Sequence, residues 1–159
     1  PQSIDDKIHA CEQAGLDIIG ITDHLDFLRS GGTRDNRDPE ACALIEKNRE
    51  KFAAYNLTLI EGKAPKALDD LPAPDAVFIG GTKGNMDTVI NAVLHKNPAA
   101  RLCIAAIALE TLSAAVAALT AHGLAAEVTQ ISVSRTKTAG SLHLLMANNP
   151  VFLITGART

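Results

Sequence analysis

Three glycines stand between an apolar run and an amphipathic segment in Asp75-Ala-Val-Phe-Ile-Gly-Gly-Thr-Lys-Gly-Asn-Met-Asp-Thr-Val-Ile-Asn91. Residues 76–79 read as a strand, Gly80, Gly81 and Gly84 as a loop, and the chain from Asn85 as a helix. Backbone without Cβ lets a ligand approach closely, and the first turn of a helix offers unpaired N–H groups. In open α/β sheets such a loop lies beyond the carboxyl end of its strand, where ligands bind. The same residues also make a plain βα turn, and their spacing does not choose between the two. Glu110 opens a second helix in Ala108-Leu109-Glu110-Thr111; its carboxylate either complements the helix dipole or reaches a substrate.

Other chemistries find little support. His9, His95, His122 and His143 are not spaced with a second metal ligand. Cys11, Cys42 and Cys103 are odd in number and widely separated, which suits reduced packing thiols in a cytoplasmic protein and gives no zinc pattern. No GxSxG elbow accompanies a Ser-His-Asp order, so hydrolase chemistry is not indicated.

The 159 residues suggest one α/β domain, 1–159, and 47% apolar residues suffice for a core. Only 3% are aromatic and none is Trp, so stacking on nucleic-acid bases is not expected. A formal net charge of −3 argues against a polyanion partner. No apolar run reaches the roughly 18 residues a membrane span requires, and Pro1-Gln-Ser-Ile-Asp-Asp6 lacks the basic start of a signal peptide.

The elements that would hold the glycine loop follow from periodicity and punctuation. Residues 4–14 suit a helix, with Asp5 and Asp6 in its first turn and Gly15 as its stop. Residues 16–22 read as a buried strand and 29–38 as loop. A helix is expected over 39–55, with Pro39 in its first turn, then a strand over 56–60 and a helical turn over 64–68. After the strand at 76–79 come a helix over 85–95, a strand over 101–107 and an Ala-rich helix over 109–121 closed by Gly123. Strands are expected over 126–134, 142–146 and 151–154. Alternating helices and strands imply a mostly parallel sheet covered on both faces, and the terminal strands an antiparallel edge.

Residues 37–157 resemble the decarboxylating precorrin C15-methyltransferases of corrin ring biosynthesis. The resemblance runs through Arg37-Asp-Pro-Glu-Ala-Cys-Ala-Leu-Ile-Glu-Lys-Asn48, Asn56-Leu-Thr-Leu-Ile-Glu-Gly-Lys-Ala-Pro-Lys-Ala-Leu68 and Leu71-Pro-Ala-Pro-Asp-Ala-Val-Phe-Ile-Gly-Gly81. It continues in Ile131-Ser-Val-Ser-Arg-Thr-Lys137 and Asn149-Pro-Val-Phe-Leu-Ile-Thr-Gly156. It implies a Rossmann-like methyltransferase fold: a three-layer sandwich of seven strands, mostly parallel, with an antiparallel C-terminal hairpin. The implied cofactor is S-adenosylmethionine and the implied substrate a precorrin, a tetrapyrrole bearing carboxylates. By the same resemblance Lys63 and Ala64 lie at the adenine, Asn36 stands where an acidic residue would meet the ribose, and Gly80 and Gly81 border the methyl group. Gly84, Asn85, Glu110 and Arg135 would face the substrate, Arg135 and Lys137 reading carboxylates by paired hydrogen bonds. A homo-oligomer is also implied.

Two departures stand out. The family's first strand ends in Asp-Ile-Gly-x-Gly-x-Gly, whereas Asp17-Ile-Ile-Gly-Ile-Thr-Asp-His24 has one glycine, which implies weakened cofactor binding. Residues 4–24 instead resemble a strand of polymerase-and-histidinol-phosphatase metallohydrolases, which would make His24 a metal ligand. The family's paired histidines are missing. Residues 1–36 then read as an atypical or foreign αβ segment, and the alternative to a methyltransferase is a chimera of two α/β folds without catalytic function.

Overall fold

The computed structural model describes residues 18–21, 39–82 and 84–158, with backbone only at 18–21 and 39–41. Its strands are β1 (Ile18–Ile21), β2 (Ala76–Ile79), β3 (Arg101–Ala106), β4 (Ala125–Ile131), β5 (Ser134–Ala139), β6 (Leu142–Ala147) and β7 (Val151–Ala157). Its helices are α1 (Pro39–Lys51), α2 (Met86–Lys96) and α3 (Leu109–Ala121), with a 3-10 turn at Lys66–Leu68.

Five strands form one sheet in the order β1-β2-β3-β7-β4. β1, β2 and β3 run parallel, Ile21 lying beside Ile79 and Ile79 beside Ile104. β7 runs antiparallel between β3 and β4, with Ile154 beside both Ile104 and Val128. β3 and β4 therefore point the same way, and the sheet is parallel but for one inserted strand. The crossovers through α2 and α3 both advance in one direction along the sheet. Right-handed connections then put both helices on the same face.

That face holds the core. Val77 and Ile79 of β2 alternate with exposed or half-buried residues, as do Leu102, Ile104 and Ala106 of β3. They meet Met86, Val89, Ile90 and Val93 of α2 and Ala115, Ala118 and Leu119 of α3. Fully burying each large aliphatic side chain here contributes about 1.5–3 kcal/mol. Alanines on α3 bring its backbone near the sheet, and Gly156 of β7 sits directly beneath Leu119. On the opposite face Phe78 remains 39% exposed, and Cys103 and Ala105 are half-buried. Among the described residues, α2 and α3 form the helical layer on this one face.

Other boundaries depart from expectation for identifiable reasons. α1 ends at Lys51 rather than continuing to Tyr55, because Ala53 adopts φ 51° and turns the chain out of the helix. Residues 56–60 form no strand. They pair with none of the described strands, and Leu57 and Ile60 stay more than two-fifths exposed, so the segment buries too little apolar surface to hold one. The strand expected over 126–134 stops at Ile131; Ser134 instead starts β5, which pairs only with β6 in a separate two-stranded sheet. The expected helix over 4–14 lies outside the described residues.

The connector before β2 is held from α2. Lys96 Nζ donates to the carbonyls of Asp69 and Leu71, 2.7 Å each, and Asn97 Nδ2 to that of Pro74 at 2.8 Å. Gly123, at φ 71°, closes α3 as expected. His122 Nε2 lies 2.9 Å from Asp87 Oδ1 and joins the end of α3 to the first turn of α2.

Candidate functional site

Because β1, β2, β3 and β4 run in one direction, their carboxyl ends share one edge of the sheet. Gly80 and Gly81 leave β2 there and lead to Gly84 and Asn85. Gly84 has φ 90°, a conformation that L side chains rarely adopt, and nothing crowds the space a Cβ would fill. The turn is closed by Asn85 N–H donating to the Thr82 carbonyl at 2.9 Å. Asn85 then caps α2 without a side-chain hydrogen bond, which leaves the first-turn N–H groups without a side-chain cap. At the end of β3 the chain passes through Ile107 and Ala108 into α3, with Glu110 exposed in its first turn.

A second group of residues borders the first. A cleft of about 720 Å³ is lined by Glu61, Lys63, Ala64, Lys66, Asp69 and Asn85, among others. Hydrogen bonds from Ala67 N–H to the Lys63 carbonyl (3.0 Å) and from Leu68 N–H to that of Pro65 (2.8 Å) hold its wall as a tight turn. Its volume falls within the roughly 300–1,000 Å³ of small-molecule clefts.

The hairpin of β5 and β6 leaves the same edge. β4 ends at Ile131 and β5 starts at Ser134, while β6 ends at Ala147 just before β7 re-enters the sheet. A hydrogen bond from Asn148 N–H to the Val133 carbonyl, 2.9 Å, closes its base. Arg135 projects from β5 opposite Met146, exposed.

The fold therefore places Gly80, Gly81, Gly84, Asn85 and Glu110 along one edge and joins Asn85 to Lys63 and Ala64 around one cleft. Arg135 stands apart on the hairpin. Asn36 and His24 lie outside the described residues, and the described ones contain no group of three His, Cys, Asp or Glu able to hold a metal. Sequence reasoning overlooked Lys66 and Asp69 as cleft residues and Asp87 as the partner of His122. The acidic first turn of α2 was the only local hint of that pair. Burial pushes the Cys103 thiol above its ordinary pKa and so favours its protonated form.

Residues 32–158 match the model of a precorrin methyltransferase domain. A probable cobalt-precorrin-6B C(15)-methyltransferase (decarboxylating) of Pyrobaculum calidifontis is 40% identical over 119 residues, covering 74% of this chain and 61% of its own length. The cobalt-precorrin-6B C(15)-methyltransferase (decarboxylating) of Salmonella typhimurium is 34% identical over 143 residues, 89% of this chain and 73% of that one. Among solved structures, a precorrin 8W decarboxylase of Methanobacterium thermoautotrophicum superposes with TM-score 0.74 at 25% identity, covering 99% of this chain and 91% of its own. The chain thus spans about three-fifths of the length of the Pyrobaculum relative. A match over 89% of 159 residues starts no later than about residue 19, so the Salmonella alignment enters the stretch likened to a metallohydrolase. The chimeric alternative gains no support from these similarities. Among the described residues, no helix is long and apolar enough to cross a membrane.

Proposed function

The chain belongs to the precorrin methyltransferase domain family, and on that premise we propose that it methylates a carbon of a precorrin at the expense of S-adenosylmethionine, coupled to loss of a carboxyl group as carbon dioxide. The observation that carries this reading is the shared carboxyl edge, where Gly80, Gly81, Gly84, Asn85 and Glu110 gather beside the Lys63–Ala64 cleft.

The cleft suits the cofactor in volume, and Asn85 links it to the glycine loop. Lys63 and Ala64 would flank the adenine, Gly80 and Gly81 would admit the methionine end, and Asn36 would meet the ribose. When bound, the cofactor supplies an electrophilic methyl group on a sulfonium, and the accepting carbon supplies the electron pair. The residues of this chain bind and orient. Gly80 and Gly81 remove side-chain bulk from the approach, and Gly84 allows the turn that starts α2. Glu110 and Arg135 stand on the substrate side. A methyl transfer to an activated carbon needs positioning more than acid–base help.

Copies are also proposed to associate through the β5–β6 hairpin. A lone two-stranded hairpin is marginal in water, and both of these strands are exposed along their whole length. Leu145, 75% exposed, shares a face with Thr136, its cross-strand partner, and with Thr138 and His143. That face is free of Lys and Arg and is the one a second copy can cover.

Titration calorimetry with S-adenosylmethionine tests the cofactor assignment. Affinity weakened by the single glycine of residues 17–24, yet competed by S-adenosylhomocysteine, supports it; no heat at millimolar cofactor refutes it. Mass spectrometry of a precorrin turnover then seeks a product gaining one methylene and losing carbon dioxide.

A further inference from the structure

The β5–β6 hairpin has a second face of different character. Side chains alternate across a strand, so Arg135, Lys137 and Ala139 share one side of β5. Their cross-strand partners are Met146, Leu144 and Leu142. Two cations about 7 Å apart, two residues along a strand, thus stand beside three apolar side chains that are 49%, 44% and 63% exposed. Among the described residues neither cation has an acidic partner. The reason lies in the sequence: residues 128–159 hold three Lys or Arg and no Asp or Glu, against twelve basic and eighteen acidic residues in the first 127. An acidic chain carries a purely basic arm.

We infer that this face is a carboxylate-reading arm for the substrate, recognising an amphiphile with a flat apolar body and a rim of carboxylates. The inference rests on the precorrin reading above and names the residues that would select such a molecule. Arg135 forms paired hydrogen bonds with a carboxylate and Lys137 supplies a second point charge, while Leu142, Leu144 and Met146 cover the apolar body. Charge excludes the other obvious occupant. A second copy docked on this face would bring a second Arg135 and Lys137 to a surface that already holds two cations and no acid, and that added positive charge disfavours it. The uncharged Thr136–Leu145 face carries no such penalty. Position supports the assignment too, because the arm rises from the edge where Gly80, Gly84 and Glu110 lie.

The probe is uroporphyrin, whose macrocycle bears acetate and propionate groups, with its fully esterified form as control. Both are titrated by absorbance against the full chain and against Arg135→Gln, Lys137→Gln and the double variant. Each single substitution should weaken binding of the free acid by about tenfold, the order of a partly solvated charge-assisted contact. The ester should bind weakly and equally to all four proteins, and raising the salt should reduce only the free-acid affinity. Arg135→Lys, which keeps the charge and loses the fork, should fall between wild type and Arg135→Gln. Free-acid binding unchanged in the double variant, with the circular dichroism of the wild type, overturns the proposal, as does equal affinity for acid and ester. The two readings fail separately. Arm-dependent porphyrin binding without cofactor binding removes only the methyl transfer, and cofactor binding with arm-independent porphyrin binding removes only the arm.

Discussion

Replacing Gly156 with Ala tests whether β7 and α3 approach as closely as described. A Cβ at this position would lie 2.6 Å from Leu119 Cδ2, 3.0 Å from Cδ1 and 3.3 Å from Cγ. Leu119 is fully buried and cannot swing into solvent. Gly156 pairs with Leu102 on one side and Ala126 on the other, so the strand cannot retreat without disturbing two ladders. Forcing a methyl group into such a core costs about 1–3 kcal/mol, while removing a strand glycine returns roughly 0.5–1 kcal/mol. The net expectation is a loss of about 1–2 kcal/mol, a fall in Tm of roughly 2–8 °C for a domain of this size. The chain has no Trp, so urea and thermal unfolding are best followed by far-ultraviolet circular dichroism. Leu119→Ala alone should cost about 2–5 kcal/mol. In the double variant the new methyl occupies part of that cavity, so the combined loss should fall short of the sum by about 1 kcal/mol or more. A Gly156→Ala protein as stable as wild type, or strictly additive losses, would falsify the claimed contact.

Lys96→Met removes the one ammonium that donates to both the Asp69 and Leu71 carbonyls and should lower stability by about 1–3 kcal/mol in urea titrations; an unchanged midpoint would show the clamp to be incidental. Leu145→Asp should shift sedimentation velocity toward a smaller species while leaving secondary structure intact, and an unaltered distribution removes the proposed self-association. Cys103 should react with iodoacetamide more slowly in the folded protein than in urea, since burial favours its protonated thiol. The folded pKa is the higher one, so the stability it confers is complete below the unfolded value and is lost as pH rises through the folded one. Wild type should therefore lose more stability than Cys103→Ala above about pH 8.5, and parallel pH profiles would contradict this.

Local signals carried part of the architecture. The strand at 76–79 and the helix at 109–121 were legible to the residue, because Asp75 and Gly80 bracket one apolar run and Gly123 stops the other element. The Gly80–Asn85 loop was legible for the same reason. What failed was information carried by distant neighbours. Residues 56–60 look like a strand but pair with none of the described strands and stay largely exposed, and no local pattern reports a missing partner. Ser134–Ala139 escaped notice as a separate strand because both its faces are exposed and no apolar alternation marks it. The meeting of Asn85 with Lys63 in one cleft and the reach of Lys96 to the connector depend on chain paths 22 to 27 residues long. Periodicity cannot encode them.

The place of β7 between β3 and β4 has an order-of-synthesis consequence. A ribosome completes β4 well before β7, and during that interval the two parallel neighbours have no strand to join them. β4 must wait as an orphan, tethered only through α3, until Val151–Ala157 emerges and wedges in from the opposite direction. Deleting Val151–Ala157 would therefore unseat β4 and the hairpin as well, turning the loss of one seven-residue strand into the detachment of everything between α3 and it.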